Sequence, residues 1–276
     1  MRSIIASFRP VQFFALYFAL TWTPYWLAVL SERNQWPIPS VVFMVLVGVG
    51  ALSAALIMVY TSGDRAVVRD YWDRVFNFRR IRGRWWLLVV FGMPALKVVI
   101  VLISVLLGGS PDQFRFSAAF AASPLALAAM LFFFGPLPEE LGLRGYGIDS
   151  LRSRFNGFDA SLVMGVLWAA WHIPSVFMPD SFHNKLLAYP PAFVSFFVWT
   201  VALAFIYTWI FYNNRRSTLA LILFHYFDNL SGEMIDLEME TRVIQAVVLV
   251  AFAVVIVLWD RKTFWEAALP ADNAAG

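Results

Sequence analysis

The sequence predicts an all-α membrane protein, a polytopic bundle of about eight transmembrane helices. Of its 276 residues, 61% are hydrophobic and only 14% are charged, against about 45–50% and about 25% in a typical soluble domain. Apolar runs of about 20 residues, the length that crosses a bilayer, recur along the chain. No polar stretch between them is long enough to fold alone, so residues 1–276 are predicted to form one domain. The predicted spans are residues 11–30, 38–61, 85–107, 116–135, 161–178, 190–212, 217–231 and 241–259.

Basic residues indicate how these spans are oriented. Of the 21 lysines and arginines, sixteen lie on the side of the N-terminus, four lie on the opposite side and Lys97 lies inside a span. The positive-inside rule then predicts cytoplasmic termini and location in the inner (plasma) membrane. The first span follows Arg2 and Arg9 like a signal peptide. It is too long for a signal core and lacks a cleavage site, so we expect it to be retained.

The cytoplasmic loop after the second span contains a further helix. Residues 64–76 place apolar side chains at helical spacing with charges between them, as in helices that lie at a membrane surface. We expect its arginines to face anionic headgroups. The basic surface therefore predicts membrane lipids as partners, and no nucleic acid.

Polar residues inside the apolar runs indicate a functional site. Glu140, His172, His225 and Asn229 lie where the chain should cross the membrane. An ionisable group there costs at least ~2.5–3.5 kcal/mol and is a functional-site hypothesis by default. A carboxylate, two imidazoles and an amide suit hydrolysis. The lack of cysteine excludes a cysteine nucleophile and thiolate metal sites.

The first pattern is a pair of glutamates that follows a proline. Pro138 suits the first position of a helix, which places Glu139 and Glu140 in the first turn, near the positive end of the helix dipole. Glu140 and Arg144 are four residues apart and can pair on one face. Glu139 then lies on a different face, so one glutamate can act chemically while the other binds structurally.

Two further patterns place histidines at helical spacing. Trp168 and His172 are four residues apart, and so are His225 and Asn229, so each pair shares a helix face. Pro174 frees a backbone carbonyl one turn before it. Counted from the predicted cytoplasmic helix ends, the depths of the two histidines differ by about one turn. They can meet in a cavity that opens toward the cytoplasm.

Each pattern also has an ordinary structural explanation. The glutamates can be a solvated helix start, a histidine can be a packing residue, and His225 with Asn229 can join helices. We expect Asp228 to face the outer water and His183 to be solvated in an outer loop. Lys97 is expected to snorkel or to pair with a carboxylate. Three patterns at compatible depth favour a functional site over these separate explanations.

Taken together, the patterns resemble the signature of the CPBP family, which comprises type II CAAX prenyl endopeptidases and bacteriocin-processing or Abi proteins. The resemblance lies in three ordered motifs, Glu139-Glu140-x-x-x-Arg144, Trp168-x-x-x-His172 and His225-x-x-x-Asn229. They fall within a family-like catalytic core of approximately residues 116–235. Two departures occur: Trp168 replaces the usual phenylalanine, and Asp228 adds an acid beside the third motif.

The resemblance implies an intramembrane endopeptidase with its site toward the cytosol. Its catalytic residues would be Glu139, Glu140, His172, His225 and Asn229, supported by Arg144 and Trp168. Glu140 would be the general base for a hydrolytic water, with Glu139 alongside. The two histidines would position that water or stabilise the oxyanion, to which Asn229 would donate.

Metal dependence remains open at this point. Glu140, His172 and His225 could hold zinc with a water at the fourth position, although the sequence has no His-Glu-x-x-His helix. The family has been described both as metalloproteases and as metal-independent glutamate proteases. We favour the glutamate mechanism, with no cofactor required.

The sequence therefore predicts a protease for membrane-associated protein or peptide substrates, with lipid modification unspecified. One alternative is a proton-coupled transporter that uses the same buried residues, although no inverted repeat is visible. Another is a non-catalytic scaffold or bacteriocin-immunity protein built on a protease-like fold.

Overall fold

The fold is an all-α helical bundle, as predicted. The computed structural model describes residues 8–266, so Arg2 and both chain ends lie outside the described residues. The α-helices are α1 (Pro10–Asn34), α2 (Ser40–Tyr60), α3 (Arg65–Phe76), α4 (Trp85–Leu106), α5 (Ala118–Ala122), α6 (Pro124–Phe134), α7 (Pro136–Gly142), α8 (Ile148–Arg152), α9 (Gly157–Trp171), α10 (Ile173–Val176), α11 (Phe182–Leu186), α12 (Pro190–Asn213), α13 (Thr218–Met234), α14 (Met239–Trp259) and α15 (Arg261–Trp265). Short 3₁₀ turns cover Phe78–Arg80 and Pro111–Phe114, and Leu143–Gly147 is a π-helical segment that joins α7 to α8.

Six helical stretches of the described chain are long and apolar enough to cross a membrane. They are α1, α2, α4, the stretch from α6 to α8, α12 and α14. The predicted runs at 161–178 and 217–231 form the shorter helices α9 and α13. Every predicted run thus corresponds to helix, and the chain is a multi-pass membrane protein.

Prolines set the helix boundaries around Glu139, Glu140 and His172. The predicted run 116–135 is divided at Pro124, which begins α6. It is followed at once by Pro136, which begins α7. Since α7 begins two residues before Pro138, only Glu139 lies in its first turn. The predicted run 161–178 also differs: α9 ends at Trp171, because Pro174 lies in the first turn of α10.

The predicted helix in residues 64–76 forms as α3, whose Asp64 cap accepts from the Ala66 amide at 2.7 Å. One of its arginines does not face headgroups. Arg74 is only 1% exposed and donates to the carbonyl of Gly145 at 2.8 Å and to Asp149 Oδ2 at 3.2 Å. The predicted orientation was wrong at Arg74, because α3 packs against the π segment and its inner side chain meets a buried carboxylate.

Asp149 also joins α3 to the connection between α12 and α13. Arg216 Nε donates to Asp149 Oδ2 at 3.0 Å, and the Tyr212 hydroxyl donates to Oδ1 at 2.9 Å. Burial alone would lower the pKa of the Arg216 guanidinium, but the carboxylates of Asp149 and Asp70 outweigh it and raise that pKa. Three separate parts of the chain are therefore joined by one fully buried carboxylate.

Candidate active site

A polar cavity of about 280 Å³ lies among α6, α7, α9, α12, α13 and α14. It brings together five residues that the sequence selected as candidates. Glu139, Trp168, His172, His225 and Asn229 all line it. Side chains from three sequence-distant motifs therefore share one wall, as the resemblance implied.

The two adjacent glutamates have different surroundings. Glu139 lines the cavity, and its Oε2 accepts from Trp168 Nε1 at 3.3 Å. Glu140 is fully buried behind the wall. The predicted ion pair forms, since Arg144 Nη1 donates to Glu140 Oε1 at 3.0 Å. Successive residues of a helix point about 100° apart, which separates these faces. Glu139 is thus the carboxylate that contacts the cavity.

Glu140 fixes the orientation of His225. The Glu140 Oε1 atom lies 2.9 Å from His225 Nδ1. A carboxylate can only accept, so Nδ1 carries the proton, and Nε2 is the ring nitrogen left for the cavity. A carboxylate–imidazole pair of this kind holds the ring in one tautomer and stabilises its protonated form.

The carbonyl of Trp168 fixes His172 in the same way. His172 Nδ1 lies 2.9 Å from the Trp168 carbonyl oxygen, one turn earlier in α9. Because that oxygen only accepts, Nδ1 donates, and Nε2 of the neutral ring is left as an acceptor. His172 can therefore accept a hydrogen bond from a water in the cavity.

Arg144 and Trp168 support the catalytic wall from behind. The Arg144 guanidinium lies over the rings of Trp168 and Tyr207, at 4.9 and 4.6 Å from their centroids. Such cation–π contacts hold an arginine against an aromatic face. Since the Trp168 indole also donates to Glu139, one side chain connects the buried arginine to the cavity carboxylate.

Lys97 and Asp228 form an ion pair at the edge of the cavity. Lys97 Nζ donates to Asp228 Oδ1 at 2.8 Å and to its main-chain oxygen at 2.7 Å. Both side chains are largely buried. The expectation that Asp228 faces outer water was therefore wrong, because α4 supplies it with a buried partner. For Lys97, pairing with a carboxylate was one of two expectations, and that one is confirmed.

His183 is a cavity residue that sequence reasoning placed in solvent. It lies on α11, and its ring centroid is 4.9 Å from that of His172. Burial lowers its pKa to about 4, so the ring is neutral. The expectation of a solvated histidine was wrong, because α11 folds back over the cavity. The apolar residues of the same connection, among them Phe182 and the buried Leu186, were the signal for this packing.

The predicted zinc ligands do not assemble as a metal site. Within residues 8–266, no three histidine, aspartate or glutamate side chains are grouped so that they could hold an ion. Glu140 instead bonds to Arg144 and His225, and a guanidinium beside a carboxylate competes with a cation there. The donor set does not fit a three-ligand zinc centre.

The cavity extends away from the arginine-rich end of the bundle. Its outer lining comes from Phe182, His183, Glu233 and Arg242, on connections that the charge count assigns to the non-cytoplasmic side. Arg74 and Arg216 lie at the opposite end of the bundle. If the cavity opens at this outer lining, only one of the two predictions, cytoplasmic termini or a cytoplasmic opening, can hold.

Single cysteines test this arrangement, because the native chain has none. Arg79→Cys lies at the arginine-rich end, and Lys185→Cys lies on α11, the helix that carries the cavity residues Phe182 and His183; both positions are exposed. We expect an impermeant maleimide to label them from opposite sides of intact cells or spheroplasts. The side that labels Lys185→Cys decides which of the two predictions holds. Labelling of both positions from one side would contradict the arrangement.

Comparisons with known proteins identify the family to which this chain belongs. The family model for type II CAAX prenyl endopeptidases, Rce1-like, matches residues 121–231. A CAAX prenyl protease 2 from Methanococcus maripaludis is 30% identical over 266 residues, which is 94% of this chain and 97% of that protein. The matched region contains all three motifs, and the second match extends over nearly the whole bundle. This chain belongs to the Rce1-like family of type II CAAX prenyl endopeptidases.

Proposed function

We propose that this protein is an intramembrane endopeptidase that cleaves the C-terminal segment of lipid-modified, membrane-associated proteins, with Glu139 as general base. The observation that carries the proposal is the shared cavity wall formed by Glu139, His172, His225 and Asn229. Family membership supports peptide-bond hydrolysis over the transporter and immunity alternatives. A C-a-a-X sequence is a C-terminal prenylation signal, which defines the substrate class.

Glu139 and His172 would prepare the attacking water. The water donates one hydrogen bond to the Glu139 carboxylate and the other to His172 Nε2, the acceptor left by the bond to Trp168. As the water oxygen attacks the scissile carbonyl carbon, its proton passes to Glu139. The Trp168 indole N–H, 3.3 Å from Glu139 Oε2, keeps that carboxylate turned toward the cavity.

His225 and Asn229 would stabilise the tetrahedral intermediate. With Glu140 accepting at Nδ1, a protonated His225 presents Nε2–H to the oxyanion. The Asn229 amide lies one turn along α13 and is the second donor. Each such donor contributes about 10²–10³-fold to the rate of acyl transfer. Glu139 then returns its proton to the leaving nitrogen, which gives a carboxylate and an amine.

The resemblance suggested Glu140 as the general base, but the geometry favours different roles for the two glutamates. Glu140 has 0% exposure and does not line the cavity, and its Oε1 already accepts from both Arg144 and His225. We propose that Glu140 orients His225 and that Glu139 takes the proton.

Peptide cleavage is the direct test of this function. The purified protein in detergent or proteoliposomes should release a C-terminal fragment from a prenylated peptide that ends in C-a-a-X, as measured by mass spectrometry. Absence of cleavage from folded protein at high enzyme concentration would refute the proposal. If neither the folded native protein nor any variant cleaves the peptide, the result would indicate a scaffold.

Chelation tests the metal-independent form of the mechanism. Since Arg144 and His225 use the buried carboxylate, we expect cleavage to keep at least about half its rate after dialysis against 1,10-phenanthroline or EDTA. Adding zinc back to the dialysed protein is the control. Loss of activity that zinc restores would overturn the metal-free assignment.

A further inference from the structure

The outer end of the cavity contains a cation, Arg242, that makes no direct ion pair within residues 8–266, although Glu233 and Asp236 lie near enough to act on it electrostatically. Arg242, near the start of α14, lines the wall, and its guanidinium lies 4.9 Å from the ring centroid of Phe182. Its Nε atom is buried and has no hydrogen-bond partner. Within the described chain, no carboxylate oxygen lies within 4.0 Å of it, although Glu233 lines the same cavity. A partly buried guanidinium that makes no direct ion pair has a desolvation cost that a bound anion would offset.

A second unpartnered polar atom lies in the same part of the cavity. His183 Nε2 is buried and has no hydrogen-bond partner, although its ring packs 4.3 Å from the Phe196 centroid. Of the buried side-chain atoms left without partners among residues 8–266, only those of Arg242 and His183 belong to residues that line this cavity. The Arg242 guanidinium and the His183 imidazole both lie against the ring of Phe182.

The cavity wall carries charges of both signs, and Glu233 and Arg242 both belong to its outer lining. Glu139 is the carboxylate at the inner wall, and Lys97 is already paired with Asp228 at the edge. Of the two basic residues that line the cavity in the described part of the chain, Arg242 is thus the one that makes no direct ion pair. A guanidinium presents a planar fork of donors that matches a carboxylate, while a neutral imidazole adds one further hydrogen bond.

We propose that Arg242, assisted by His183, binds the free α-carboxylate at the C-terminus of the substrate. This inference rests on the proposed function, because a C-a-a-X segment ends in such a carboxylate. With the C-terminus held at Arg242 and the scissile carbonyl held near Glu139, the span between the two residues fixes the length of the released fragment. Arg242 is thus a specificity-determining residue that selects chain ends over internal peptide segments.

The test compares two peptides that differ only at the C-terminus, one a free acid and the other an amide. We expect the native enzyme to cleave the acid with a kcat/KM at least about tenfold higher, because truncating a buried charge pair has effects of this size or larger. Arg242→Gln should lower kcat/KM for the acid by a similar factor and leave the amide within about twofold. Arg242→Lys, which keeps the charge but loses the fork, should be intermediate.

Lys185→Gln is the matched control, since it removes an exposed cation from the same α11 segment that carries His183. It should preserve the preference for the acid. Equal loss on both peptides in Arg242→Gln would show a merely structural role and overturn the inference. A native enzyme that does not distinguish acid from amide would overturn it as well.

A binding measurement separates this inference from the proposed function. Fluorescent acid and amide peptides are titrated into the Glu139→Gln protein and into Glu139→Gln with Arg242→Gln. Preferential binding of the acid that requires Arg242, without any cleavage by the native protein, would support the carboxylate site and refute the protease. Cleavage without a preference for the acid would do the reverse.

Discussion

Replacement of Glu139 by glutamine should reduce kcat for peptide cleavage by about 10²–10⁴-fold, the usual contribution of a general base. Glutamine keeps the size of the side chain and can still accept from the Trp168 indole, but it cannot take the proton of the attacking water. Single-turnover cleavage of a C-a-a-X peptide measures the effect. The same change at Glu233, elsewhere on the cavity wall, should leave kcat within about threefold because surface-type polar changes away from the reacting atoms have small effects.

Glu140→Gln separates the two roles. It removes the charge that Arg144 and His225 share, so it should lower both activity and thermal stability. Glu139→Gln should lower activity alone. If Glu139→Gln stays active while Glu140→Gln is inactive and fully stable, the base is Glu140, as the family resemblance suggested.

Asp149→Asn should have the largest effect on stability, about 3–5 kcal/mol of unfolding free energy. The aspartate is fully buried and is the common partner of Arg74 and Arg216, so its neutralisation leaves two buried guanidiniums without this shared carboxylate. Thermal or denaturant unfolding of the purified protein in one detergent measures the loss.

Asp73→Asn is the control for that measurement. Asp73 pairs with Arg80 at 2.6 Å, but its side chain is 44% exposed. Exposed pairs contribute about 0–1 kcal/mol, so this variant should unfold close to the native protein. Similar losses in both variants would contradict the central role of Asp149.

Local spacing was enough to predict parts of the site. The i,i+4 rule gave the Glu140–Arg144 pair, and polar residues in apolar runs identified both histidines. Which of Glu139 and Glu140 is the general base could not be predicted from the sequence, because two adjacent glutamates differ only in which neighbouring helix they contact. That depends on how α7 packs against α9 and α13, which is a long-range property.

Pairings between distant segments were likewise hidden. Asp228 and Lys97 are 131 residues apart, and no local pattern joins them. His183 resembled a loop residue because α11 is only five residues long and gives no helical periodicity. Five of the six long helical stretches match apolar runs of bilayer length in the sequence, whereas the stretch Pro124–Arg152 was predicted only as a run at 116–135.

The π segment at Leu143–Gly147 sets how the helix after it is rotated relative to α7. A π turn is what remains when one residue is inserted into an α-helix. Without that extra residue, everything after it would rotate by about 100° relative to α7. Asp149 would then lose its alignment with Arg74 and Arg216, while Glu140 would still meet His225. The π segment therefore sets the angle between two helix faces. Glu140 on α7 faces the catalytic residues, and Asp149 on α8 faces the arginines that hold the bundle together.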